Sequence, residues 1–211
     1  MGKLKGMTLA EKIGYIRDYY TLHIIAGVVA IAIIVWGLNH YILNPPPQTF
    51  LNVSFFGQFV PEDLRNTFAE NLAESLINPN ENYRVLVDIF FATGINPEFD
   101  MAMTQRMVAM VAAAEIDVFI IAPNEAESLF IEGFGLDLRE MLHPNVFRQL
   151  YDMDAINFNE HLIPSSLQMD YLPYFQDFGV DFSDWVLVIL PNTVREVAVS
   201  AFIDHILPYT D

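Results

Sequence analysis

The chain contains no cysteine. That excludes a disulfide framework, a thiolate metal site and an acylated cysteine as a lipid anchor. Lysine is almost as scarce: Lys3, Lys5 and Lys12 are all there are, and none follows the first short segment. Residues 44–211 carry six arginines against 25 acids, a formal charge of −19, whereas residues 1–43 carry four cations against two acids. So acidic a domain repels nucleic-acid phosphates and should not lie flat on anionic lipid. The histidines (His23, His40, His143, His161 and His205) lack zinc-ligand spacing. No Gly-x-Ser-x-Gly, His-Glu-x-x-His or phosphate-loop motif occurs, and no cofactor is expected.

What the chain does have is one long apolar run. From Ile24 to Leu38 no side chain is charged, and the only polar group is the indole of Trp36. Tyr41-Ile42-Leu43 extends the run to the roughly 20 residues that a spanning helix needs. Trp36, Tyr41, Tyr19 and Tyr20 lie near its ends, where amphipathic rings favour the membrane interface. No small-x-small cleavage signal follows, so residues 23–43 are expected to be an uncleaved signal anchor. Residues 1–22, with Thr8…Glu11 as a capping box, are expected to form a short amphipathic lead-in helix. The basic flank should stay in the cytoplasm and the acidic part outside the cell membrane. An exported domain without cysteine suggests a bacterial cell. The prolines of residues 44–48 make a semi-rigid linker.

Residues 49–211 read as an α/β domain. Strands are expected at 49–56, 83–91, 116–122 and 185–190, and helices at 61–77, 96–114, 123–131, 143–151 and 193–207. Regular alternation of strand and helix implies a three-layer, mostly parallel sheet. Residues 152–184 read as irregular, acidic and aromatic.

Ligands of open α/β sheets sit beyond the carboxyl ends of the strands, which here carry Gln58, Thr93 and Asn124. Ordinary turn chemistry uses the same residue types. A second candidate is the aromatic stretch Tyr171, Tyr174, Phe175, Phe178, Phe182 and Trp185, which either lines a sugar or peptide site or a partner interface, or folds inward to close the sheet edge. Asp170, Asp177, Asp181 and Asp184 crowd that stretch; they are weak calcium candidates, since their spacing is not that of an EF-hand, or else a solvated loop. Asp88 and Asp117, inside strands, serve either acid–base chemistry or loop capping.

Three segments carry a resemblance. Met107–Ile121 contains Ala-Ala-Ala-Glu-Ile-Asp-Val-Phe; Glu132–Leu142 contains Gly-Phe-Gly-Leu-Asp-Leu; and residues 187–207 pair Leu-Val-Ile-Leu-Pro-Asn-Thr with Ala-Phe-Ile-Asp-His-Ile-Leu. In this order they resemble the first lobe of type II extracytoplasmic solute-binding proteins, with Ala114-Glu115 where that family usually has a glycine. The resemblance implies a solute-binding lobe. The chain departs from it in length, because the segment between Leu142 and Trp185 is too short for a second lobe, so clamshell trapping is not expected. The expected role is therefore a membrane-anchored binding module that contacts a protein partner, such as a transporter or envelope complex, or a second copy of itself. A small-solute receptor and a metal-dependent hydrolase are the alternatives.

Overall fold

The computed structural model describes residues 8–122, 135–158, 161–175 and 180–207, without the side chains of residues 9–12, 15, 16, 18 and 19. The chain divides into two compact units, 1–47 and 48–211.

In the first unit, α1 (Leu9–Leu38) is one continuous helix, extended by a π-helical turn over Asn39–Leu43. The lead-in and the apolar run therefore form a single rod. Its stretch Tyr20–Leu43, 24 residues of mean hydropathy 2.4, buries nothing. At 1.5 Å per residue it is about 36 Å long, enough for a hydrocarbon layer of about 30 Å. Such a segment exposes apolar side chains all round, as lipid favours and water does not. Near its end Trp36 stacks on His40 at 5.5 Å and meets Tyr41 edge-on at 6.5 Å. Those rings carry the amphipathic character of an interfacial belt.

The second unit is a six-stranded sheet. Its strands are β1 (Gln48–Phe56), β2 (Tyr83–Phe90), β3 (Val118–Ile121), β4 (Ile156–Phe158), β5 (Pro164–Gln168) and β6 (Val186–Ile189). Their spatial order is β2-β1-β3-β6-β5-β4. Among the described residues its α-helices are α2 (Glu62–Leu76), α3 (Pro97–Ala112), α4 (Leu138–Met141), α5 (Pro144–Asp152) and α6 (Glu196–Ile206).

The expectation of a mostly parallel sheet is corrected. Only β1 pairs in parallel, with β2 and β3; β3–β6, β6–β5 and β5–β4 are antiparallel. The sheet is mixed because the segment taken as irregular supplies two short strands. β4 and β5 form an antiparallel pair, and β6 returns against β3 instead of crossing over in parallel. The expected strand residues 185–190 do form β6, but in the opposite direction. The expected helix over 123–131 lies outside the described residues.

Helices cover both faces. On one, Leu51, Val53 and Phe55 of β1 pack with Phe68 and Leu72 of α2 and with Val199, Phe202 and Ile203 of α6. On the other, Phe90, Phe119, Ile121, Val186 and Val188 pack against Met107, Met110 and Val111 of α3. The unbroken apolar run of β3 follows from these two cores: a strand covered on both faces has no solvent side.

Candidate functional site

At the carboxyl ends of β1 and β2 the chain must turn tightly. Gly57 and Gly94 sit at φ 99 and 66, in the left-handed region that glycine adopts without strain. Beyond β2 the loop wraps the carboxylate of Asp100. Thr93 N–H and its hydroxyl donate to Asp100 Oδ1 at 2.7 and 3.0 Å, and Gly94 N–H donates to Oδ2 at 3.0 Å. The Thr93 hydroxyl also accepts from Ile95 N–H and Asn96 N–H, at 3.2 and 3.3 Å. Asn96 in turn caps α3, accepting from Glu98 and Phe99 N–H. The backbone donor of Thr93 holds Asp100 below the usual carboxylate range, aided by the hydroxyl and by Gly94.

The Thr93 hydroxyl is thus committed inside its own loop: one donor and two accepted bonds leave a ligand little to gain there. Gln58 is exposed beside Phe59. Asn124 lies outside the described residues. The face shows apolar groups in place of the expected polar rim. Phe59, Ile95 and Phe99 are 59%, 89% and 37% exposed. Phe91 joins the two phenylalanines, with ring centroids 5.5 Å from Phe59 and 5.8 Å from Phe99. Between this cluster and α3 lies a cavity of about 140 Å³ lined by Phe56, Phe90, Asp100, Met103 and Met107, among others. Sequence reasoning passed over Phe59 and Ile95. Their signal was an aromatic or aliphatic residue in a turn, outside any strand or helix period.

The aromatic stretch folds largely inward. Trp185 is 2% exposed, so as an interface residue it is corrected: it and Phe182 pack on Phe55, at 6.4 and 6.0 Å, and close the first core. Phe175 is buried against Phe68. Tyr174 is half-buried, edge-on to His205 at 5.0 Å, and burial pushes its phenol upward. Tyr171 alone of the described candidates here is exposed, at 37%. Phe178 and Asp177 lie outside the described residues.

The acidic loop is organised as a turn. Asp181 accepts from Ser183 N–H at 3.0 Å and from its hydroxyl, and these bonds, the hydroxyl's first, lower its pKa. Asp184 stands at φ 64 and donates its N–H to Asp170 at 3.3 Å. Among the described residues no three His, Asp or Glu side chains converge as a metal site would need.

Asp117 is fully buried just before β3. Its carboxylate accepts from Asn52 N–H (2.8 Å), Thr193 Oγ1 (2.5 Å) and Arg195 Nε (2.8 Å). Arg195 also donates to the carbonyls of Ala114 and Glu115 at the end of α3. The group therefore ties β1, β3, α3 and the β6–α6 loop together. Thr193 and Glu196 have capping-box spacing, but the threonine hydroxyl is spent on Asp117 and α6 starts without a side-chain cap. Across the sheet, Asn52 Nδ2 donates to Asp88 at 3.3 Å, and Asp88 pairs with Arg106 at 2.5 Å. Both carboxylates thus serve loop and helix attachment.

Compared with models of known families, with curated proteins and with solved structures, the chain matches none of them. The resemblance to solute-binding proteins accordingly stands on its three motifs. Ala114 stands at φ 53. A Cβ on Gly135 would stand 3.0 Å from the Cβ and the carbonyl oxygen of Ser165.

Proposed function

We propose that the chain is a membrane-tethered interaction module, with its N-terminus in the cytoplasm and its α/β domain outside, and that the domain binds a protein partner through the strand-end face. The observation that carries this reading is the cluster of exposed Phe59 and Phe99 on partly buried Phe91, with exposed Ile95 in the loop that precedes α3. Contiguous apolar surface kept in water has a cost that burial against a partner recovers, and clustered aromatics anchor interfaces. The adjoining cavity, at about 140 Å³, is smaller than the roughly 300–1,000 Å³ of typical small-ligand sites, which favours a protein over a solute. The motif resemblance to solute-binding proteins supports an extracytoplasmic binding role by analogy alone. The charge step from four cations and two acids before residue 44 to −19 after it supports the orientation. A tether confines the domain near the membrane and makes modest affinity useful there.

The test is site-specific photocrosslinking in intact membranes, with the probe at Phe59 or Ile95 and a control at exposed Glu74 on α2. A discrete protein adduct at the first two positions and none at the third is the expected result. Equal labelling at Glu74, or no adduct at either strand-end position, refutes the reading. Protease applied to intact cells should remove the domain and spare an N-terminal tag; the reverse pattern refutes the orientation.

A further inference from the structure

At the β4 edge of the sheet, opposite the β2 edge near the strand-end cluster, α4 and α5 enclose a groove of about 370 Å³. Its walls are Leu142, Pro144, Phe147 and Tyr151, and Arg139 and Arg148 stand at it. The apolar surface continues outward. Phe147 stacks on Tyr151 at 6.5 Å, Tyr151 meets Phe158 edge-on at 6.1 Å, and Tyr151, Phe158 and Leu162 are 57%, 44% and 77% exposed. A strip that runs past the groove onto the edge strand suits an extended segment better than a compact small molecule.

Charge identifies what kind of segment. The domain holds six arginines and no lysine among 25 acids. Arg65 donates to the carbonyls of Val60 and Val87, Arg106 pairs with Asp88, Arg139 with Asp137, and Arg195 with Asp117, while exposed Arg84 stands on β2 at the other edge of the sheet, away from this groove. Asp137 also accepts from Arg139 N–H, and it occupies the Nε–Nη2 edge of that guanidinium. Arg148 is exposed and has no ion-pair partner among the described residues. It therefore presents a free guanidinium fork at an apolar groove, and guanidinium matches carboxylate geometry. Elsewhere the acidic surface repels an anionic partner, so one that binds must use a local cation.

We infer that the α4–α5 groove is a docking site for a protein segment that combines an apolar or aromatic anchor with a neighbouring carboxylate, the anchor seated against Leu142, Phe147 and Tyr151 and the carboxylate on Arg148. This surface is separate from the strand-end face and does not depend on it.

The probe is a short dye-labelled helical peptide of leucine, phenylalanine and glutamate, titrated by fluorescence anisotropy into the full chain in phosphatidylcholine nanodiscs. Saturable binding is expected. Arg148→Glu should weaken it at least about tenfold, and Tyr151→Ala by about tenfold; Glu74→Lys and Phe59→Ser should leave it within about twofold. Circular dichroism of each variant separates lost binding from lost fold. Because the last variant alters only the strand-end face, that proposal and this one fail separately. Absence of saturable binding overturns the inference, as does binding indifferent to Arg148→Glu in a folded variant. Displacement of the peptide by dodecanoate at equal concentration would mean a site for a small amphiphile. Self-crosslinking of the chain through position 148 without peptide would mean that a second copy is the occupant.

Discussion

Removing the Asp117 carboxylate should do more damage than any other single-side-chain change in the polar network. Its two oxygens take three donors from separate parts of the chain, and the residue has no exposure to water. Asp117→Ala leaves Asn52 N–H without its acceptor and Arg195, only 21% exposed, without its counter-ion. Breaking one side of a buried pair costs about 3–5 kcal/mol, a large share of a total of about 5–15. For a domain of this size the melting temperature should fall by about 10 °C or more. Asp117→Asn is a finer probe. Its amide oxygen can still accept from Asn52 and Arg195 while its NH2 donates to the Thr193 hydroxyl, so only the charge assistance is lost, about 1.5–3 kcal/mol. The assay is urea denaturation of residues 48–211, followed by tryptophan fluorescence from buried Trp185, the one tryptophan in that unit. A double-mutant cycle with Arg195→Ala should give a coupling of about 1–3 kcal/mol. Asp117→Ala within about 0.5 kcal/mol of the parent, or strict additivity with Arg195→Ala, would refute the clamp.

Two further outcomes follow from backbone and loop geometry. Asp100 has a lowered pKa, set first by Thr93 N–H, so its contribution is present above the unfolded value of 3.8 and is lost as pH falls through the lower folded value. The Thr93 and Gly94 amide resonances should therefore titrate with a midpoint below 3.8, and a midpoint at or above it would contradict the loop. Ala114, at φ 53, carries the steric cost of a left-handed residue, about 1–2 kcal/mol. Ala114→Gly should relieve it and raise stability by up to about 1 kcal/mol after glycine's entropy is offset; a loss of stability in urea denaturation would show that the turn is not strained.

Element positions were legible wherever local periodicity met a complete core. Strands β1, β2, β3 and β6, and helices α2, α3, α5 and α6, lie within a few residues of where alternation and helical stripes place them. The proline linker ends one residue early, because Gln48 already donates to Asn82 in the sheet. The strand-end candidates were located by topology, with ligand binding and turn chemistry both open, and Thr93 takes the turn role. Thr93 looks like a ligand-binding residue until its hydroxyl is seen to close a loop around Asp100 seven residues on.

The sequence by itself determined the division of the chain into an apolar helix and an acidic α/β domain, since length, hydropathy and charge sum along the chain without reference to partners in space. Only the tertiary structure decided the direction of β6 and the pairing of β4 with β5. Three- to five-residue strands are too short for a period, and their direction is set by which neighbour completes their hydrogen bonds. It also decided which aromatics are core and which are surface. Trp185 and Phe59 are equally apolar in the sequence. One closes on Phe55 from a strand end, while the other sits in a turn, edge-on to Phe91 and 59% exposed. The role of Asp117 was likewise out of reach, because its Thr193 and Arg195 partners are 76 and 78 residues away and meet it only when β6 lies antiparallel to β3.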